Sequence, residues 1–310
     1  MSAGRVPAVV LVGPTASGKS SLAHAAARQH GGVEIVTIDS MQVYRGMDIG
    51  TAKPTTAEQS VVAYHLIDLI EPHETYTVSC FQDDAAVALD AIADRGHVAL
   101  GVGGTALYLR ALVDALDIPG QFPEARAAIE VEPDTEALHR QLAALDPTAA
   151  ARMEPSNRRR IVRALEVTIG SGRPFSDYGP GLEHHAETPA RLIGLRWPRD
   201  LLDRRIADRY AAMMDAGLLA EVERLLATAS GVSATARQAL GYRELLSHLE
   251  DGVPLDEAVA TAVRRTRRFA RRQERWFRRD PRIEWWDLAT DEDLDAAADR
   301  LQSVLADDRP

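Results

Sequence analysis

Ala8-Val9-Val10-Leu11-Val12 is an unbroken apolar run rich in β-branched residues, and Gly13 ends it. A run without polar alternation marks a strand buried on both faces, the habit of a parallel sheet covered by helices. Val33-Glu34-Ile35-Val36-Thr37-Ile38 reads as a second strand ending at Asp39. His97-Val98-Ala99-Leu100-Gly101-Val102 reads as a third, broken by Gly103-Gly104. Between them apolar positions recur at helical spacing, from about Ser20 to Arg28, over residues 79–94 and from about Ala106. This alternation predicts an α/β fold, a parallel sheet flanked by helices, which binds ligands at the carboxyl ends of its strands. Gly13, Asp39 and Gly103 all fall at such ends.

The pattern changes near Asp117. From there to about Glu187 no strong strand is evident, and residues 124–131, 134–145 and 155–170 read as helices punctuated by Pro119, Pro123, Pro133, Pro147, Pro155 and Pro174. An all-helical insertion over residues 118–190 follows, dividing the core into residues 1–117 and 191–310. Ile193-Gly194-Leu195-Arg196-Trp197 returns as one more core strand. Helices are then expected to dominate to the end. Trp285-Trp286 is expected to pack the last helix, the acidic, Ala-rich stretch 291–308.

The chain has 310 residues, 45% hydrophobic, enough for one large or two modest domains. Its formal net charge of −10 argues against nucleic-acid binding by average charge alone. Residues 264–279 run the other way: Arg264, Arg265, Arg267, Arg268, Arg271, Arg272, Arg275, Arg278 and Arg279 crowd one helical segment. Val263, Ala270 and Phe277 recur there at spacing seven, with Phe269 and Trp276 alongside. That is an amphipathic helix whose arginines either form a solvated face or grip a phosphate backbone. Cys80 is the only cysteine, which excludes an internal disulfide and a cysteine-based zinc site and fits a reducing cytosol. No apolar stretch reaches membrane-spanning length, so a soluble, cytoplasmic chain with no membrane partner is expected. His184-His185 lacks a third donor and reads as a surface pair, and His65 as a partly buried, satisfied histidine.

The chemistry begins after the first strand. Gly13-Pro14-Thr15-Ala16-Ser17-Gly18-Lys19-Ser20 fits G-x-x-x-x-G-K-S/T at every fixed position, between a buried strand and a helix. Glycines let the backbone wrap round phosphate with its amides pointing inward, and the helix N-terminus adds partial positive charge. Lys19 adds a full charge, and Ser20 offers a hydroxyl to magnesium. This loop defines a phosphate cradle and leaves open whether its user is an ATP-binding kinase, another nucleotide hydrolase or a diphosphate-using transferase. Asp39, at the end of the second strand, faces the same crevice, either as a proton acceptor or as a cap of the following turn.

The loop, followed by Asp39-Ser40 and by Tyr44-Arg45-Gly46-Met47-Asp48-Ile49-Gly50-Thr51-Ala52-Lys53-Pro54, resembles the bacterial tRNA dimethylallyltransferase family. Tyr64-His65-Leu66-Ile67-Asp68, Gly103-Gly104-Thr105 with Leu107-Tyr108, and Arg159-Arg160-Ile161-Val162-Arg163-Ala164-Leu165-Glu166-Val167 continue it. So do Gly241-Tyr242-Arg243-Glu244 and Thr266-Arg267-Arg268-Phe269-Ala270-Arg271-Arg272-Gln273. The resemblance implies a P-loop NTPase-like core and transfer of a dimethylallyl group from its diphosphate to the exocyclic amine of the adenosine 3′-adjacent to the anticodon.

The same resemblance implies that Gly13, Pro14, Thr15, Ala16, Ser17, Gly18, Lys19 and Ser20 hold the diphosphate, with Ser20 on Mg2+. It implies Asp39, Thr15 and Thr105 as catalytic residues, Asp39 being the base. Asp39, Ser40, Met41, Gln42 and Thr105 would contact the tRNA nucleotide, and Arg126, Arg159, Arg160 and Arg163 the anticodon stem-loop. A monomer is the default expectation for the chain. Ser20 stands where many members have Thr, Ala106 where Gly is usual, and Gln238, preceded by Arg237, where some have arginine. A prenyltransferase acting on free adenine nucleotides, a small-molecule kinase and a non-catalytic RNA-binding module are the competing readings.

Overall fold

The computed structural model describes residues 5–307. The chain divides into two compact units, one formed up to Val113 and from Glu187 onward, the other by Asp114–Ala186. Among the described residues the first unit has six strands, β1 (Val9–Val12), β2 (Val33–Ile38), β3 (Tyr64–His65), β4 (Val98–Gly103), β5 (Arg191–Arg196) and β6 (Ile283–Asp287). They form one sheet in the order β3-β2-β4-β1-β5-β6, with every neighbouring pair parallel. Helices α1 (Lys19–His30), α2 (Thr56–Gln59), α3 (Val78–Asp94) and α4 (Ala106–Val113) follow the early strands. The second unit holds α5 (Pro123–Glu130), α6 (Thr135–Leu145), α7 (Pro147–Ala151) and α8 (Arg158–Ser171). The first unit resumes with α9 (Arg199–Asp215), α10 (Leu218–Leu226), α11 (Tyr242–Asp251), α12 (Leu255–Phe277) and α13 (Asp291–Asp307).

The unbroken apolar run of β1 is explained by its position at the middle of the sheet. Val9 and Leu11 join a core with Leu22, Ile206 and Leu301, of α1, α9 and α13. Val10 and Val12 face the other way, into a core with Phe81, Leu109 and Leu245, of α3, α4 and α11. Alternate side chains of a strand point to opposite faces, so a strand buried on both has no polar position to spare. Glu34, within β2, is buried all the same, and its carboxylate is satisfied by Arg95, His65 and His97. The Arg95 hydrogen bonds are the main cause that holds its pKa down to about 2.

The sheet narrows at Gly103, whose Cα pairs with Ile38 at the carboxyl ends of β4 and β2. A Cβ at Gly103 would lie 2.0 Å from the Ile38 carbonyl oxygen. Backbone cannot yield there as a flexible side chain could, so Gly103→Ala is expected to cost about 3 kcal/mol in urea unfolding. An unchanged midpoint would show that the two strand ends can spread.

Two elements differ from the sequence expectation. β6 interrupts the helices expected to run to the C-terminus, and β3 adds a two-residue edge beyond β2. Trp286 still packs against α13, with Arg300 stacked 4.2 Å over its ring, but it does so from a strand, while Trp285 faces the opposite core. The apolar row of α12 also differs. Its buried positions are Ala258, Ala262, Thr266, Ala270, Gln273 and Phe277, whereas Val263, Phe269 and Trp276 are half-buried. The row follows i+3/i+4 steps on a straight helix, which a strict seven-residue spacing only approximates.

In the second unit Ile129, Leu138, Leu142, Ala150, Ile161 and Leu165 form a core of their own. Asn157 caps α8, and Asp146 caps α7 while also accepting from the Ser176 amide at 2.8 Å. The unit begins four residues before the boundary expected at 118, directly after α4, and ends four before 190. Among the described residues no helix is long and apolar enough to cross a membrane.

Candidate active site

The phosphate loop joins β1 to α1 and turns through Ala16 at φ 64° and Gly18 at φ 86°. Positive φ suits glycine and strains alanine, so the loop's shape is held from outside. The Trp197 indole donates to the Ser17 carbonyl at 2.9 Å and Arg205 Nε to the Ala16 carbonyl at 3.1 Å. Arg205 also stacks 4.4 Å over the Trp197 ring and pairs with Asp291 at 2.7 Å. Gln273 reaches in from α12, its Oε1 accepting from the Thr15 amide at 2.9 Å and its Nε2 donating to the Gly104 carbonyl at 2.9 Å. Two carbonyls of the loop are thus held from α9 and Trp197, while the Thr15 amide is held by Gln273 and the Ser17 amide by the Pro14 carbonyl at 3.3 Å. Gly18 caps α1 without a side-chain hydrogen bond, so the amides of the first turn keep their donors for an anion.

Three groups mark that cradle as an anion site. The Ser17 hydroxyl is buried with no hydrogen-bond partner, a costly state that a phosphate oxygen would relieve. Lys19 donates to the Pro14 carbonyl at 3.3 Å. Burial lowers its pKa to about 8, against the pull of the Asp39 carboxylate and with a smaller contribution from the Arg209 charge. Arg209 Nη1 donates to the Thr15 hydroxyl at 3.2 Å, and burial lowers its pKa too, although a guanidinium stays charged.

Beside the loop lies a cavity of about 610 Å³. Its lining joins Lys19, Ser20, Arg205 and Arg209 with apolar Ala23, Ile35, Ile49, Val102, Ala212 and Met213, and includes Thr37, Lys53, Glu58, Tyr64 and Asp208 as well. Gln42 reaches it too, but its Nε2 is spent on the Thr51 and Ala52 carbonyls at 3.0 and 3.1 Å. Asp39, Ser40, Met41 and Thr105 gather in a neighbouring cluster at the ends of β2 and β4. The Ser40 amide donates to the Thr105 hydroxyl at 3.2 Å, and the Met41 amide to Asp39 Oδ1 at 2.8 Å. Asp39 therefore caps its own turn, and its charge is felt at both Lys19 and Arg209.

The remaining expected residues lie in the second unit. Arg126 and Arg163 both pair with the buried Glu166, at 3.4 and 2.7 Å, and Arg163 also donates to the Pro119 carbonyl at 2.7 Å. Arg159 and Arg160 are exposed in the first turn of α8. Sequence reasoning assigned no part in the site to Arg209, Arg205 or Trp197. Gln273 carried a signal, a polar residue on the buried row of an otherwise arginine-and-apolar helix.

Fold and site together define a P-loop protein of the NTPase-like class, whose cradle adjoins a chamber lined by charged, polar and apolar side chains. The IPP transferase family profile matches residues 42–280, and the isopentenyl transferase profile residues 6–68. A tRNA dimethylallyltransferase of Kineococcus radiotolerans is 49% identical over 288 residues, covering 90% of each chain. One from Streptomyces coelicolor is 47% identical over 280 residues, covering 89% of each. The crystal structure of a full-length tRNA isopentenylpyrophosphate transferase from Bacillus halodurans superposes with a TM-score of 0.69 at 35% identity, over 98% of both chains. A eukaryotic dimethylallyltransferase acting on tRNA shares the fold, with a TM-score of 0.82 at 24% identity over 99% of this chain and 81% of that one. The chain belongs to the IPP transferase family, as the resemblance read from its motifs implied.

Proposed function

We propose that the chain transfers the dimethylallyl group of dimethylallyl diphosphate to the exocyclic amine of the adenosine 3′-adjacent to the anticodon of tRNA, releasing diphosphate. The observation that carries the reading is the chamber itself. One lining brings Lys19, Ser20, Arg205 and Arg209 together with Ile49, Val102, Ala212 and Met213, which suits a diphosphate carrying a short hydrocarbon tail.

The residues divide the work. Lys19, Arg209 and the loop amides hold the diphosphate and receive the negative charge that grows on it as the carbon–oxygen bond breaks. The adenine amine is a weak nucleophile because its lone pair is shared with the ring. Asp39 takes its proton as the new carbon–nitrogen bond forms, and Thr105 and Thr15 orient the two partners. Such chemistry requires the base to leave its stack. The Ser20 hydroxyl, on the chamber lining beside Lys19, would be the protein's ligand to Mg2+. The ion would supply further charge neutralisation to the leaving group.

On α12, Arg264, Arg268, Arg272 and Arg275 are exposed, while Arg265 and Arg271 pair with Glu244 and Asp203 at 2.5 and 3.6 Å. The exposed four recur at spacings of four, four and three, on one side of the helix, and give an acidic chain a place to meet RNA phosphates. Arg159 and Arg160 serve the same end in the second unit. We take the protein to act as a cytoplasmic monomer.

Lys19 also sets a pH dependence. Below about pH 8 it is already protonated, and the donor binds without taking up a proton. Above that pH, binding an anion raises the lysine pKa, so a proton must be taken up and donor affinity falls by up to about tenfold per pH unit. Calorimetry at pH 9 in buffers of differing ionisation enthalpy should show proton uptake on donor binding, and no uptake would place Lys19 away from the diphosphate. The function as a whole is tested by incubation with labelled dimethylallyl diphosphate and either unmodified tRNA or AMP. Label in acid-precipitable RNA is the expected result, whereas label confined to AMP would move the activity to free nucleotides.

A further inference from the structure

Glu221 stands in α10, 1% exposed, and the chemistry above does not use it. Its carboxylate accepts from three consecutive backbone amides, Oε2 from Asp48 at 3.1 Å and Ile49 at 2.9 Å, Oε1 from Gly50 at 3.2 Å. The Tyr242 hydroxyl, from the start of α11, donates to Oε1 at 2.5 Å. Burial first, and the Glu221 charge second, push the Tyr242 pKa far up, so the phenol remains a donor. A carboxylate removed from water is tolerated where several fixed donors replace its hydration, and here the donors are the backbone of one loop.

That loop is clamped along its length. Lys53 donates to the Tyr44 carbonyl at 2.8 Å and pairs with Asp48 and Asp68 at 2.6 Å each. Gly50 lies so close to Tyr242 that a Cβ there would meet its ring at 2.4 Å. Ile49, whose amide Glu221 holds, and Ala52, next to Lys53, both line the chamber that Lys19 and Met213 also line. Ala52 adopts φ 49°, a strained conformation for alanine, kept by the contacts around it.

We propose that Glu221 is a positioning residue: braced by Tyr242, it fixes Asp48–Gly50 so that Ile49 and Ala52 form a rigid wall to the prenyl slot, limiting the length of donor accepted. The proposal rests on the prenyl-transfer reading of the chamber. Three amides require an acceptor of matching reach on both oxygens. Glutamine keeps the size but presents an NH2 where one oxygen stood, placing donor against donor and releasing one end of the loop.

The test uses the full chain with Glu221→Gln and Tyr242→Phe, assayed with dimethylallyl and geranyl diphosphates on the same tRNA. Glu221→Gln should lower kcat/KM for the dimethylallyl donor and relax its preference over geranyl diphosphate by about tenfold. KM for tRNA should stay unchanged, and amide exchange at Asp48, Ile49 and Gly50 should quicken while the β1 and β4 amides stay protected. Tyr242→Phe should move each readout less, in the same direction. Equal loss with both donors, with preference and loop exchange as in the parent, would overturn the proposal. If the parent transfers no prenyl group to RNA, the functional reading fails instead, and loop exchange in the free protein still decides whether Glu221 holds the wall.

Discussion

Asp39→Asn should lower kcat for tRNA prenylation by about 10²–10⁴-fold while leaving KM for donor and tRNA close to the parent values. The expectation separates two roles that coincide in one side chain. Asp39 Oδ1 accepts from the Met41 amide at 2.8 Å, so the residue caps the turn that leaves β2. Asparagine preserves that bond, being able to accept through its own Oδ1, but it cannot take a proton from an amine. A cap alone would leave kcat nearly unchanged in Asp39→Asn. A general base would lose most of its turnover with the turn intact, and with stability within about 1 kcal/mol of the parent in urea. Steady-state kinetics and the unfolding midpoint, measured on the same preparation, distinguish the two.

Lys19→Met carries the second large effect. Its ammonium lies among the loop atoms with burial pulling its pKa down to about 8, so the charge is costly to hold without an anion and well placed to bind one. Removing it should cut kcat/KM for dimethylallyl diphosphate by about 10²–10³-fold, the scale seen when one preorganised donor to a developing negative charge is lost. The alkaline fall in donor affinity should vanish with it, since no other group is assigned to that titration. Persistence of the fall in Lys19→Met would transfer the titration to another residue. Methionine is nearly the same length and apolar, so the substitution removes a buried charge without opening a large hole.

The site as read from sequence and the site as folded overlap where partners are close along the chain. The phosphate loop is eight consecutive residues between a strand and a helix, and its local pattern carries its chemistry. β1, β2 and β4 were legible for the same reason, each being a short apolar run ended by a turn residue. β6 was not, because Glu284 and Asp287 flank its tryptophans and break the apolar run that marks a buried strand. In the fold they pair with Arg191 and Arg196 on β5, more than ninety positions away. β3 is two residues long and has no pattern to detect. Arg209 meets Thr15 across 194 positions, and Gln273 meets it across 258, distances over which no local spacing constrains a pair. Gln42 shows the opposite limit. The resemblance implied a contact to the tRNA nucleotide, but the use of its amide to brace Thr51 and Ala52 depends on a fold that closes the loop on itself.

The residues that shape the loop from outside are drawn from late in the chain. Trp197 follows β5, Arg205 and Arg209 belong to α9, and Gln273 to α12. The early half supplies the cradle, and the later half sets where its carbonyls point. Holding the Ala16 and Ser17 carbonyls and the Thr15 amide from outside fixes the shape of the loop before any ligand arrives, which is the preorganisation that transition-state stabilisation demands.

The most direct measurement is nucleoside composition. An unmodified tRNA bearing adenosine 3′ to its anticodon would be incubated with the protein, magnesium and dimethylallyl diphosphate, digested to nucleosides and analysed by mass spectrometry. One adenosine per tRNA should gain the mass of a dimethylallyl group less one hydrogen, at the anticodon-adjacent position, and the Asp39→Asn protein should yield almost none in the same time. Adenosine of unchanged mass throughout, with the donor intact and the protein folded, would contradict the account.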